Sequence, residues 1–105
     1  MELPCVSILT PTYKRRHFNA LMINNVKSYD YPKHKLEWII FDDSPIEHKQ
    51  FKDEAEVLEA QKICGVKINY IYDNSRHLTI GEKRNKLSKL AKYKILINQD
   101  SDDLY

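Results

Sequence analysis

Trp38-Ile39-Ile40-Phe41 is apolar at four consecutive positions, with no polar residue at the alternate ones. A strand turns successive side chains to opposite faces, so this run needs cover on both sides. A chain of 105 residues, with room for one core, finds that cover by laying helices on both faces of a parallel sheet. Three other segments have strand length and composition: Cys5-Val6-Ser7-Ile8-Leu9-Thr10, Val66 to Tyr72, and Tyr93-Lys94-Ile95-Leu96-Ile97-Asn98. Pro11 is expected to end the first strand, and Leu36 to Phe41 forms the second.

Helical spacing fills the gaps. Phe18, Leu21, Met22, Val26 and Tyr29 define one inward face from Arg16 onward, until Asp30-Tyr31-Pro32 breaks the pattern. Ser44-Pro45-Ile46-Glu47 has the form of a capping box with proline in first helical position. It predicts a helix to about Ile63 that buries Phe51, Ala55 and Leu58, with Gly65 as its stop. Thr79-Ile80-Gly81-Glu82 is a second capping box, and Ile80, Arg84, Leu87 and Ala91 form a stripe beyond it. The expected fold is α/β: a Rossmann-like βαβαβαβ parallel sheet flanked by helices, in one domain over residues 1–105. The third strand alternates and reads as an edge.

Right-handed crossovers make all four strands point one way, so their carboxyl ends share an edge. Pro11-Thr12-Tyr13, Asp42-Asp43, Asp73-Asn74 and Asp100 to Asp103 gather there. Ligands of open α/β sheets bind at this edge, where strand order reverses. With order 3-2-1-4, the crevice falls between strands 1 and 4. Lys14, Arg15, Arg16 and His17, then Lys83 and Arg84, place cations at helix N-termini, where the macrodipole disfavours them. An anionic ligand would offset that cost, although basic side chains can also reach into water. The carboxylates of Asp100, Asp102 and Asp103 suit a hard divalent cation; taken alone they also fit a solvated turn. The two glycines, Gly65 and Gly81, leave no glycine-rich phosphate loop.

The totals narrow the classes further. A net charge of +2 is too small to imply nucleic acid, and no apolar stretch approaches membrane-spanning length. With no signal-peptide pattern, and Cys5 and Cys64 expected as buried free thiols, the chain is expected in the cytoplasm. The four histidines have no zinc-ligand spacing.

Val6-Ser7-Ile8-Leu9-Thr10-Pro11-Thr12-Tyr13-Lys14-Arg15 resembles the opening strand of glycosyltransferase family 2, which has the GT-A fold. Ile39-Ile40-Phe41-Asp42-Asp43-Ser44 looks like that family's "vvDDgS" segment, and Gly81-Glu82-Lys83-Arg84-Asn85 is similar to its "GxxxARN" segment. Asn98-Gln99-Asp100-Ser101-Asp102-Asp103 matches its DxD motif in the "lDsDD" form. The four matches keep the family's order across nearly the whole chain. The departures are Lys14 in place of asparagine, a longer stretch from Asn74 to Gly81, and the end of the chain at Tyr105.

The resemblance implies the donor-binding half of a nucleotide-diphospho-sugar transferase, cut before its acceptor-binding half. Tyr13 would lie against the nucleobase, usually uracil, with Pro11 and Thr12 shaping the same wall. Asp43 would accept a hydrogen bond from the base and Asp42 would support that turn. Arg84 would approach the diphosphate or hold the acidic loop. Asp100 would face the ribose or the metal shell, and Asp102, with Asp103, would ligate Mn²⁺ or Mg²⁺. The implied reaction is inverting transfer to an acceptor hydroxyl of a glycan, lipid or protein. No carboxylate remains as general base, so the chain alone is expected to turn over poorly. Two other classes stay open: a non-catalytic nucleotide-binding module working with a partner chain, and a receiver-like signalling domain. The latter needs its acidic pair after strand 1, whereas the pairs here follow strands 2 and 4.

Overall fold

The computed structural model describes residues 3–99. Its strands are β1 (Val6–Thr12), β2 (Leu36–Asp42), β3 (Lys67–Tyr72) and β4 (Ile95–Asn98). Its helices are α1 (Asn19–Lys27), α2 (Glu54–Cys64) and α3 (Ile80–Leu90). The strands form one sheet, parallel as the alternation predicts, in the expected order β3-β2-β1-β4. Each face carries its own core. Val6, Ile8, Trp38, Ile40 and Ile68 pack with α1 and α2, while Leu9, Ile39 and Phe41 meet Leu87 of α3. The apolar run in β2 is therefore divided between two cores by the strand pleat. Trp38 is fully buried and satisfies its ring N–H at Thr10 Oγ1, 2.8 Å away.

β1 runs through Pro11 instead of ending there, with Pro11 opposite Phe41. The Leu9 carbonyl accepts from Gln99 N–H on the β4 side. Alternate residues of a parallel strand bond to alternate neighbours, so Pro11 also faces β4. Its missing N–H removes nothing from the β1–β2 ladder, and a proline is tolerated there.

Other expectations shift. The first helix opens as a 3-10 turn, Arg16–Phe18, before α1, and its buried face is Met22, Ile23 and Val26. Ser44 does not cap a helix, because its hydroxyl donates to Asp42 Oδ1. α2 begins ten residues further on with Asp53 as N-cap, accepting from Glu56 N–H. It buries Ala60 and Cys64; Ala55 and Leu58 are exposed, and Phe51 is buried ahead of the helix. Gly65 ends it in the left-handed region, φ 76°. The Thr79–Glu82 capping box forms in full, but α3 buries Lys83 and Leu87, leaving Ile80 and Arg84 outward. β4, expected as a buried strand, exposes Ile95, Leu96 and Ile97. Both cysteines are free; Cys64 is buried, with its thiol pushed up by desolvation, and Cys5 is half-buried. Among the described residues no helix is long and apolar enough to cross a membrane.

The Arg16–Glu56 pair ties the start of the first helical segment to α2 through two bonds of 2.9 and 2.8 Å. Arg16 holds the Glu56 carboxyl at about 2 against an ordinary 4.5. A depressed folded value stabilises fully above the ordinary one and loses that contribution as pH falls toward the depressed one. Each side chain is 34% exposed, so solvent screening keeps the contribution to about 1 kcal/mol or less. Glu56→Gln is expected to lower stability by that amount at pH 7 and by progressively less as pH falls through about 2, as urea melts across the range would record.

Candidate functional site

The parallel register sets Thr12 opposite Asp42 and Asp42 opposite Tyr72, so the strand exits line one edge. Asp73 N–H continues the pairing by donating to the Asp42 carbonyl. The β1 and β2 exits then turn into loops whose polar groups bond to one another.

Asp42 is fully buried and acts as the hub of the β2 exit. Its Oδ1 accepts from Ser44 N–H at 2.9 Å and from the Ser44 hydroxyl; Oδ2 accepts from Gln50 N–H at 2.8 Å and Tyr70 O–H at 2.6 Å. Burial first, and then the bond to Asp42, push the Tyr70 hydroxyl well above its ordinary range. Gln50 carries the network onward. Its Oε1 accepts from the Thr12 hydroxyl, and its Nε2 donates to the Arg15 carbonyl and to Asn19 Oδ1. Gln50 is 1% exposed, yet in the sequence it sits in a charged stretch that gives no hint of burial.

The β1 exit stands on this network. Lys14 has φ +53°, in the left-handed region that asparagine tolerates and lysine rarely enters. The backbone is held there by Lys14 N–H donating to Ser44 Oγ at 2.8 Å. Lys14 therefore carries backbone strain beside the site. Tyr13, one residue before, is half-buried, with the ring of His77 against its own at 4.2 Å between centroids and a 46° tilt.

Asp43 ties the β2 exit to α3. Its side chain is 0% exposed; Oδ1 lies 2.6 Å from Lys83 Nζ. The approach is off the hydrogen-bonding direction, so charge holds that contact and Oδ1 takes no hydrogen bond. Oδ2 accepts from Leu78 N–H at 2.6 Å and meets His77 Nδ1 at 3.1 Å. Because a carboxylate only accepts, Nδ1 is the protonated ring nitrogen in this contact. Lys83 is 1% exposed and also donates to the Thr12 carbonyl at 3.1 Å, with Nζ 5.3 Å from the Tyr13 ring centre. The expected base contact at Asp43 thus meets a carboxylate already occupied by this chain.

Above these groups opens a cleft of ≈ 520 Å³, lined by Pro11, Thr12, Tyr13, His77, Lys83 and Arg84 among others. That size suits a small-molecule ligand. The cleft sits between the Tyr13 turn and the start of α3, rather than directly between β1 and β4. Arg84 is exposed on its wall, Lys83 is buried in its floor, and Asp42 lies beneath without lining it. The stripe read from Ile80, Arg84 and Leu87 missed Lys83 by one position. The signal available was its place in the first helical turn, shared with Arg84. Among the described residues no cluster of His, Cys, Asp or Glu could hold a metal. Asp100, Asp102 and Asp103 lie outside the described residues.

No family model and no curated protein matches the chain. Solved structures do match. The mannosyltransferase PcManGT from Pyrobaculum calidifontis, in complex with GDP-Man and Mn²⁺, superposes at TM-score 0.78 and 20% identity, over 100% of this chain and 29% of that one. S. aureus TarS gives 0.75 at 23% identity, over 95% and 17%. TarS 1-349 in complex with UDP-GlcNAc gives 0.72 at 22%, over 95% and 27%. The chain thus spans less than a third of the chains it matches, and the fold it shares with them is GT-A-like.

Proposed function

We propose that this chain is the donor-binding half of a glycosyltransferase, taking a nucleotide-diphospho-sugar, specifically a UDP-sugar, for inverting transfer to an acceptor hydroxyl. One observation carries the reading: Pro11, Thr12 and Tyr13 share a cleft with Lys83 and Arg84, at the carboxyl edge of a 3-2-1-4 sheet. An aromatic wall beside two cations suits a base joined to a diphosphate. The solved neighbours were captured with UDP-GlcNAc and with GDP-Man and Mn²⁺, which supports this choice of ligand.

In this reading Tyr13 receives the base, with Pro11 and Thr12 as its wall. Arg84 reaches the diphosphate from the rim. Lys83, pinned between Asp43 and the Thr12 carbonyl, fixes the β1 exit against α3. Asp42 holds the turn that carries Asp43. The donor set for a divalent ion is Asp102 with Asp100 and Asp103, whose carboxylate oxygens suit Mn²⁺ or Mg²⁺. β4 runs parallel to β1 and Gln99 N–H still bonds Leu9, so β4 ends on the same sheet edge as the cleft, which supports this donor set. Bound there, the metal would act as a Lewis acid toward the departing diphosphate. Deprotonation of the acceptor falls to a group beyond those assigned here.

Calorimetric titration with UDP, GDP and CDP, with and without Mn²⁺, tests the reading. UDP is expected to bind only with Mn²⁺, and Tyr13→Ala to weaken it by roughly 5- to 160-fold, the scale of base–aromatic stacking. Equal UDP binding without metal would remove the metal bridge. The non-catalytic alternative predicts the same binding and differs only in lacking an acceptor half in the complete protein. The receiver-like alternative is disfavoured by β1 lying between β2 and β4, since that fold has strand order 2-1-3-4-5.

A further inference from the structure

We infer that His77 covers the nucleobase wall of the cleft and must leave the Tyr13 ring before a nucleotide can stack there. The inference deepens the nucleotide reading and rests on it. The two ring centroids are 4.2 Å apart, the separation of rings already in contact. A base inserted between them would need roughly twice that spacing, so the rings cannot sandwich it as they stand. The same residue helps to seal Asp43. His77 Nδ1 and the Leu78 N–H both occupy Oδ2, and the Asp43 side chain has no exposed surface.

The cover is built to open. His77 is 61% exposed and belongs to the segment between β3 and α3, which forms neither helix nor strand. Its neighbours differ in how firmly they are fixed. Leu78 is buried against Leu9, Phe41 and Leu87, and the Thr79–Glu82 capping box locks the start of α3. Rotation of His77 alone can therefore clear the Tyr13 ring while Leu78 N–H keeps its bond to Asp43 Oδ2 and Lys83 stays in place. The cover lowers apparent affinity by the fraction of molecules in which it is closed. In this way His77 sets how tightly the cleft holds a base, without any contact to the sugar.

UDP titrations in the presence of Mn²⁺ on the unaltered chain and on His77→Ala provide the test. His77→Ala is expected to bind UDP roughly 2- to 12-fold more tightly, the factor that corresponds to one aromatic pair. The gain should vanish in a Tyr13→Ala background, and His77→Phe, which keeps a ring against Tyr13, should bind like the unaltered chain. Unchanged or weaker binding in His77→Ala, a gain that survives Tyr13→Ala, or a His77→Phe affinity equal to that of His77→Ala overturns the inference alone. Failure of both the unaltered chain and His77→Ala to bind UDP, GDP or CDP overturns the nucleotide reading and this inference with it. Equal melting temperatures for the chain and its His77 variants establish that the comparison is between folded proteins.

Discussion

Lys83→Met is expected to destabilise the fold by about 3–5 kcal/mol, because it leaves the Asp43 carboxylate buried without its countercharge. Asp43 has no exposed side-chain surface and Lys83 only 1%, so water cannot replace the lost partner. Methionine keeps the length and apolar stem of lysine, so the cost is electrostatic and not one of packing. The double variant Lys83→Met/Asp43→Asn should recover much of the loss. Asparagine still offers an oxygen to Leu78 N–H but carries no charge to strand. Urea denaturation of the two single variants and the double measures the coupling directly. A loss below about 1 kcal/mol in Lys83→Met would sink the view that this pair fastens the β1 exit to α3.

The second large effect concerns binding. Asp102→Ala is expected to abolish Mn²⁺-dependent UDP affinity, by no less than the roughly 10–100-fold that even outer-shell partners of a metal ligand control. The melting curve without nucleotide should not move, which separates lost ligation from lost folding. Retention of Mn²⁺-dependent binding in this variant would assign the metal to other groups.

Much of the architecture can be read from residues whose constraints are local. The apolar run at Trp38 to Phe41 demands two covered faces, and the Thr79–Glu82 box places α3 to the residue. The strand–helix alternation implies the parallel sheet, and Gly65 marks the end of α2. What stays hidden depends on which partner a polar group takes in the folded chain. Ser44 has every local sign of an N-cap, but Asp42, two residues earlier, claims its hydroxyl, and α2 waits for Asp53. Gln50 is polar, surrounded by charge and fully enclosed, because four chain segments need its amide and backbone groups. Lys83 follows the same logic. A helical stripe drawn through apolar residues passes over a lysine, and only the nearby Asp43 carboxylate makes its burial tolerable. The occupied state of Asp43 and the ring contact at His77 were equally illegible, since both arise from a stretch with no regular structure.

Pro11 imposes a limit on how far the sheet can close. In a parallel pair, the N–H of residue 11 would be the group to meet the Gln99 carbonyl, one rung beyond the Gln99–Leu9 bond. Proline has no hydrogen to offer, so that rung of the β1–β4 ladder cannot form. The gap in the ladder just below the Tyr13 turn is therefore written into the covalent structure of one imino acid. Any residue able to donate at position 11 would let the seam run one step closer to the mouth of the cleft.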